Sequence, residues 1–173
     1  AEIQFIKSEA AYKKGDKVTA YAAYLAGING HFDFINKTSW PRSNMALYNT
    51  AIGQLTATQR NNYLASANVK TQATLTLSDI MLQKYIALWG WGWIETWVDL
   101  RRYHYTDVDP VTTQQVYKNF VTPTSLFASN NGKLVYRVRP RYNSEYVWNL
   151  EELKKLGGHL ADYHTVECWF SKP

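Results

Sequence analysis

Residues able to do chemistry are sparse in this chain of 173 residues. Its four histidines are His31, His104, His159 and His164. His159 and His164 flank Asp162, but the spacing suits neither a helical histidine pair nor a zinc motif, so no metal site is expected. A glycosidase needs two carboxylates held across a sugar bond. Glu95 and Asp99 are candidates only by being acidic. Their helical neighbours Arg101 and Arg102 point to ion pairing instead, with Asp99 and Arg102 at i, i+3. No GxSxG elbow, Walker loop or GxGxxG occurs. The single cysteine, Cys168, forms no intramolecular disulfide and no multi-cysteine zinc site, and reads as a buried structural thiol. Neither a catalytic residue nor a cofactor is expected.

Binding chemistry is better supplied. Aromatic residues make up 15% of the chain, with 7 Trp and 13 Tyr. Trp40, Tyr48, Trp91 and Tyr105 lie in loops or at the edge of the helical core. Rings so placed stack on the apolar faces of sugars, or anchor loops to the core. Trp40, Tyr48 and Trp91 are the ligand-binding candidates. Arg137, Arg139 and Arg141 alternate and share a face if the segment LVYRVR is extended. They offer an anion site or partner contact, against the plainer reading of ion pairs with neighbouring helices.

Most of these groups depend on one segment, Asp79 to Tyr105. Trp89, Trp93 and Trp97 at i, i+4, i+8 place three indoles on one helix face, a stripe that calls for burial as core packing, with an aromatic ligand platform as the sharper alternative. Thr76 with Asp79 forms a capping-box start. Gly90 and Gly92 each cost about 1 kcal/mol in a helix relative to alanine, and mark a kink or break between Ile80 and Tyr103.

Around this segment the chain reads as helical. Glu2 to Lys14 is an amphipathic helix with Ile3, Phe5/Ile6 and Ala10 facing in, ended by Gly15. Asp16 caps a second helix to about Phe34, closing a short helical hairpin. Ser8, Ala11, Ala20, Tyr24 and Gly27 fall near the offsets of a tetratricopeptide unit, although Ala11 stands where an aromatic is usual. Residues 36–54 are loop-like. Thr56 with Gln59 caps a short helix to about Ala65. After Tyr105 periodicity fades through a turn-rich exit, and a final helix opens at Ser144-Glu145 and ends at Gly157-Gly158. The fold class is mainly α. The organisation is a helical hairpin over residues 1–35, a loop-rich insert over 36–75, a long helical segment over 76–105 and an irregular region over 106–173.

The net charge of +5 is scattered, with only three adjacent basic pairs, so it describes a solvated face and no nucleic-acid footprint. No 18-residue apolar run exists to cross a membrane as a helix. The opening Ala1-Glu2-Ile3 is already in helical register without a cap or a methionine, as expected of a chain whose upstream part lies elsewhere.

Three stretches then combine in order: AEIQFIKSEAAYKKGDKVTAYAAYLAGI; LSDIMLQKYIALW followed by ETWVDLRRYHY; and RPRYNSEYVWN. Together they resemble the C-terminal part of the SusD/RagB family of outer-membrane nutrient-binding lipoproteins, most closely its SusD-like subgroup. The resemblance implies a tetratricopeptide-like helical hairpin, long helices and a loop-rich C-terminal region, all within one larger SusD-like domain. It implies a non-catalytic protein on the extracellular face of the outer membrane, lipid-anchored through a missing N-terminal part. Its partners would be that upstream part, a SusC-like TonB-dependent transporter and an oligosaccharide or peptide ligand. Gln83, Glu95, Trp97, Asp99 and Arg102 match the family as structural motif residues. The competing readings are a tetratricopeptide-type interaction scaffold and a glycan-acting hydrolase dependent on Glu95.

Overall fold

The computed structural model describes residues 1–37 and 54–172. Among them the regular structure is helical, and the single β contact is an isolated antiparallel bridge between Val108 and Gln115. The chain divides into two compact units, Ala1–Trp97 with Asp107–Lys118, and Val98–Thr106 with Asn119–Pro173.

In the first unit α1 (Glu2–Lys13) and α2 (Lys17–Ile35) form a hairpin. Gly15 turns the chain with φ +80°, and Asp16 accepts a hydrogen bond from Thr19 N at 2.9 Å. This bond and the Thr19 side chain hold the Asp16 carboxyl below its ordinary pKa of 3.8. The two helices approach closely at Gly27, where an added Cβ would lie 2.7–2.9 Å from three atoms of the Phe5 ring. Ser8 donates to Ala20 O at 2.7 Å across the same interface.

These contacts select the inward face of α1. Phe5, Ser8, Glu9 and Tyr12 are buried. Ile3, Ile6 and Ala10, expected to face in, are exposed, with Ile3 74% accessible. A small residue opposite a ring and one satisfied hydroxyl outweigh two isoleucines, because close packing and hydrogen bonding depend on the partner helix. Tyr12 then donates to Asp109 at 2.9 Å. Burial and this buried carboxylate push its phenol up to about 12. Asp109 also accepts from Val111 N and the Thr112 hydroxyl, so the 107–118 excursion is tied to α1.

Two capping boxes start the next helices. Thr56 and Gln59 exchange hydrogen bonds ahead of α3 (Ala57–Leu64), and Thr76 and Asp79 do so ahead of α4 (Leu77–Leu88). α3 docks through Tyr63, whose ring meets Phe32 edge-on at 5.7 Å and whose hydroxyl accepts from Gln83 Nε2 at 2.7 Å. Arg60 of α3 reaches Asp33 at 2.7 Å and Asn29 at 2.8 Å on α2. Ile80 and Met81 of α4 are fully buried in the core of this unit.

The Gly90–Gly92 break separates α4 from α5 (Trp93–Arg102). It also removes the tryptophan stripe. Trp89 caps α4 in a non-helical conformation, so it no longer shares a helical face with Trp93. Trp89 and Trp93 are 70% and 68% exposed, and Trp97 is half-buried. The expectation of a buried three-indole seam is therefore corrected: a seam needs unbroken helical register, which a left-handed Gly90 at φ +78° interrupts.

In the second unit Arg137 and Arg139 hold the chain near its end. Arg137 donates through Nε to Val166 O at 2.7 Å and through Nη2 to Glu167 O, with its guanidinium over the Tyr163 ring. Arg139 donates to Ala161 O at 2.7 Å. Their charge is spent on backbone carbonyls, which are neither the anion site nor the helix ion pairs expected. The final helix is split into a π-helical turn, Tyr142–Val147, and α6 (Leu150–Lys155), ended by Gly157 at φ +69°. No described helix is long and apolar enough to cross a membrane.

Candidate functional site

The break after α4 builds a surface groove in the first unit. Leu88 O accepts from both Trp91 N (3.0 Å) and Gly92 N (2.8 Å), folding the turn back on the helix end. Gly92 is buried there, since a Cβ would sit 2.6 Å from Leu88 Cδ2. Gly90 supplies the left-handed corner. Glycine at these two positions lets the WGWGW run keep its tryptophans outside the core.

The resulting cavity, about 340 Å³ and open to solvent, is lined by His31, Ile35, Tyr85, Ile86, Trp89 and Trp91. α2 contributes His31 and Ile35 from its last turns, and α4 contributes Tyr85, Ile86 and the capping Trp89. Trp91 is braced edge-on by Phe34, with centroids 5.4 Å apart at 82°. Tyr85 supports Trp89 at 5.9 Å. Trp91 is still 66% exposed. Braced rings that remain solvent-accessible offer flat apolar faces at little ordering cost. Among the described residues the groove is lined by two isoleucines, three aromatic side chains and one imidazole.

His31 contributes an imidazole to the groove. Its ring is half-buried, and Nδ1 is buried without a protein hydrogen-bond partner. Burial lowers its pKa from the ordinary 6.5.

The other candidates are placed as follows. Trp91 lines the groove, while Trp40 and Tyr48 lie outside the described residues. The ends of the intervening stretch meet beside the groove, where the Asn36 side chain donates to Leu55 O at 2.7 Å and accepts from Leu55 N at 2.9 Å. Tyr105 is buried in the second unit, donating to Val135 O and packed against Tyr136 and Phe120. Gln83 is buried in its bond to Tyr63, Asp99 pairs with Arg102 at 3.0 Å, and Glu95 is exposed. A carboxylate committed to a guanidinium, as Asp99 is, is a poor proton shuttle. His164 is buried and bonded to Asn130 at 2.7 Å, and among the described residues no cluster of three His, Cys, Asp or Glu is arranged to hold a metal ion. Cys168 is half-buried, not buried as expected, with Sγ 3.4 Å from Tyr136 O.

A second cavity, about 530 Å³, lies in the second unit between Lys133, Tyr136, Asp162 and Glu167. It is a mixed-charge cleft. Glu167 is 3.6 Å from His104, and Tyr136 is engaged edge-on by Tyr105, so no flat aromatic face is presented.

Sequence reasoning missed His31, Ile35, Tyr85 and Ile86, and read Trp89 first as core and only second as part of an aromatic platform. The signal was present in WGWGW, where glycine alternates with tryptophan in a way no buried helix tolerates.

The described residues thus form a mainly helical scaffold with an exposed aromatic groove. The family model of SusD-like proteins, described as starch-binding and associating with the outer membrane, matches residues 1–127. The chain belongs to this SusD-like family. The matched span contains α1 to α5 and every residue of the aromatic groove. No curated protein and no solved structure is significantly similar to the chain.

Proposed function

We propose that this chain is the part of a SusD-like receptor that binds a nutrient glycan at the outer face of the outer membrane and passes it to a SusC-like TonB-dependent transporter. The observation that carries the reading is the braced, exposed Trp91 and Trp89 at the rim of an apolar groove, in a chain of a family described as starch-binding. Pyranose rings present flat C–H faces to such platforms, and their hydroxyls remain in solvent. Lipid anchoring through an upstream part, and completion of one larger SusD-like domain by that part, belong to the same proposal.

The test is affinity electrophoresis and tryptophan-fluorescence titration with soluble starch and maltoheptaose. Retardation in starch gels is expected, with no reducing ends released. Trp91→Ala is expected to weaken binding at least tenfold, as for a central aromatic contact. Binding unchanged by both Trp91→Ala and Trp89→Ala would remove the groove from the reading.

A further inference from the structure

The aromatic groove contains an imidazole whose two nitrogens stand in different surroundings. Nδ1 of His31 is buried and meets no protein donor or acceptor. A proton placed there would be a buried donor without an acceptor, which is costlier than a bare lone pair in the same place. The neutral ring therefore carries its proton on Nε2. The ring is half-buried and lines the groove, so Nε2 is the nitrogen left on the open side. Of the other lining side chains, Ile35 and Ile86 offer only apolar surface, and Tyr85, Trp89 and Trp91 offer ring faces with one polar atom each at the ring edge.

We infer that His31 is the specificity residue of this groove, a neutral imidazole held as the Nε2–H tautomer that donates one hydrogen bond to a hydroxyl or ring oxygen of a saccharide stacked on Trp91 and Trp89. The inference rests on the glycan reading above and deepens it. It assigns stacking to the tryptophans and orientation to His31. It also sets a chemical requirement on the ligand: an oxygen acceptor close to the stacked face, which a purely apolar ligand lacks. The fixed tautomer follows from the burial of Nδ1 and holds before any ligand arrives.

Two measurements on the protein test it. Long-range ¹H–¹⁵N correlation of ¹⁵N-histidine-labelled protein at neutral pH, with His31 assigned by loss of its signals in His31→Gln, is expected to show the neutral Nε2–H pattern. A Nδ1–H tautomer or a charged ring would overturn the inference. Maltoheptaose titrations of wild type, Trp91→Ala, His31→Phe and His31→Gln form the second arm. Trp91→Ala should weaken binding at least tenfold. His31→Phe, which keeps the ring volume, should weaken it about tenfold, the scale of one neutral hydrogen bond. His31→Gln, which keeps a donor, should recover part of that loss. If Trp91→Ala weakens binding while His31→Phe binds like wild type, the groove stands and the role of His31 is overturned. If wild type does not bind maltoheptaose, or Trp91→Ala binds like wild type, the groove reading fails and this inference with it. Thermal melts of each variant separate misfolding from lost recognition.

Discussion

Replacing Gly27 by alanine tests whether the α1–α2 hairpin is set by close approach or by helix propensity, because the two effects have opposite signs. Propensity alone favours the change by about 1 kcal/mol, since Gly27 lies inside α2. Packing opposes it. The new methyl carbon would sit 2.7, 2.8 and 2.9 Å from three atoms of the Phe5 ring. Against a normal carbon contact of about 3.5 Å, that is an overlap of roughly 0.6–0.8 Å on each atom. Phe5 is fully buried and meets Tyr24 edge-on at 6.5 Å, so the ring has no open space to enter and the helices must separate. Overpacking of this kind costs about 1–3 kcal/mol, which leaves a net destabilisation of up to about 2 kcal/mol after the propensity gain of about 1 kcal/mol. Urea denaturation followed by circular dichroism reads this directly, and a thermal melt should fall by several degrees. The decisive comparison is a double-mutant cycle with Phe5→Leu, which removes the ring edge that the methyl meets. On that background Gly27→Ala should be neutral or stabilising, a coupling of about 1 kcal/mol or more. A Gly27→Ala variant that is stabilised equally in both backgrounds would refute the close-approach argument and return the hairpin to propensity.

Two further outcomes follow from local chemistry. Thr76→Ala removes the hydroxyl that accepts from Asp79 N and donates to Asp79 Oδ2 at 2.6 Å; urea melts should show a loss of about 1 kcal/mol, with Thr76→Ser close to wild type. Acid should destabilise the protein in two stages, because both His31 and Asp16 have folded pKa values below their unfolded ones, so the unfolded chain takes up each proton first. The His31 contribution is complete above about pH 6.5 and is lost as pH falls through its depressed folded value, and the Asp16 contribution follows the same course from about pH 3.8 downward. Melting temperatures between pH 7 and pH 5 should fall for wild type and stay flatter for His31→Phe; equal slopes would contradict the burial assigned to His31.

The sequence was most informative where structure is decided within three or four residues. Asp16 with Thr19, Thr56 with Gln59 and Thr76 with Asp79 each close hydrogen bonds across one helical turn, so their helix starts were readable from residue type and spacing. Gly90 and Gly92 announced the break between α4 and α5 for the same reason. The family was legible from three ordered motifs. What failed depended on partners distant in the chain. The inward face of α1 follows from Gly27 and Ala20 on α2, so hydrophobic count alone chose Ile3 and Ile6 wrongly. Arg137 and Arg139 read as helix ion pairs, or as an anion or partner site, because their acceptors, carbonyls 22 to 30 residues away, carry no side-chain signature. The groove was only partly visible. Trp91 drew attention as a loop aromatic, while the register lost at Gly90 turned Trp89 from an expected core residue into a rim residue. Phe34, which braces Trp91, is more than fifty residues upstream, so nothing local connects them.

The arginine clasp in the second unit has a consequence for how related chains diverge. Arg137 and Arg139 grip residues 160–167 through carbonyl oxygens of Leu160, Ala161, Val166 and Glu167, atoms that every amino acid possesses. Side chains at these gripped positions are therefore nearly invisible to the clasp, and substitutions there should accumulate freely as long as the backbone path is kept. The two arginines have no such freedom, because lysine provides neither the fork that spans adjacent carbonyls nor the flat cation that lies over Tyr163. Among relatives the mark of this region should be a pair of constant arginines facing a drifting stretch of sequence, a pattern in which the selective constraint sits opposite the segment whose position it preserves.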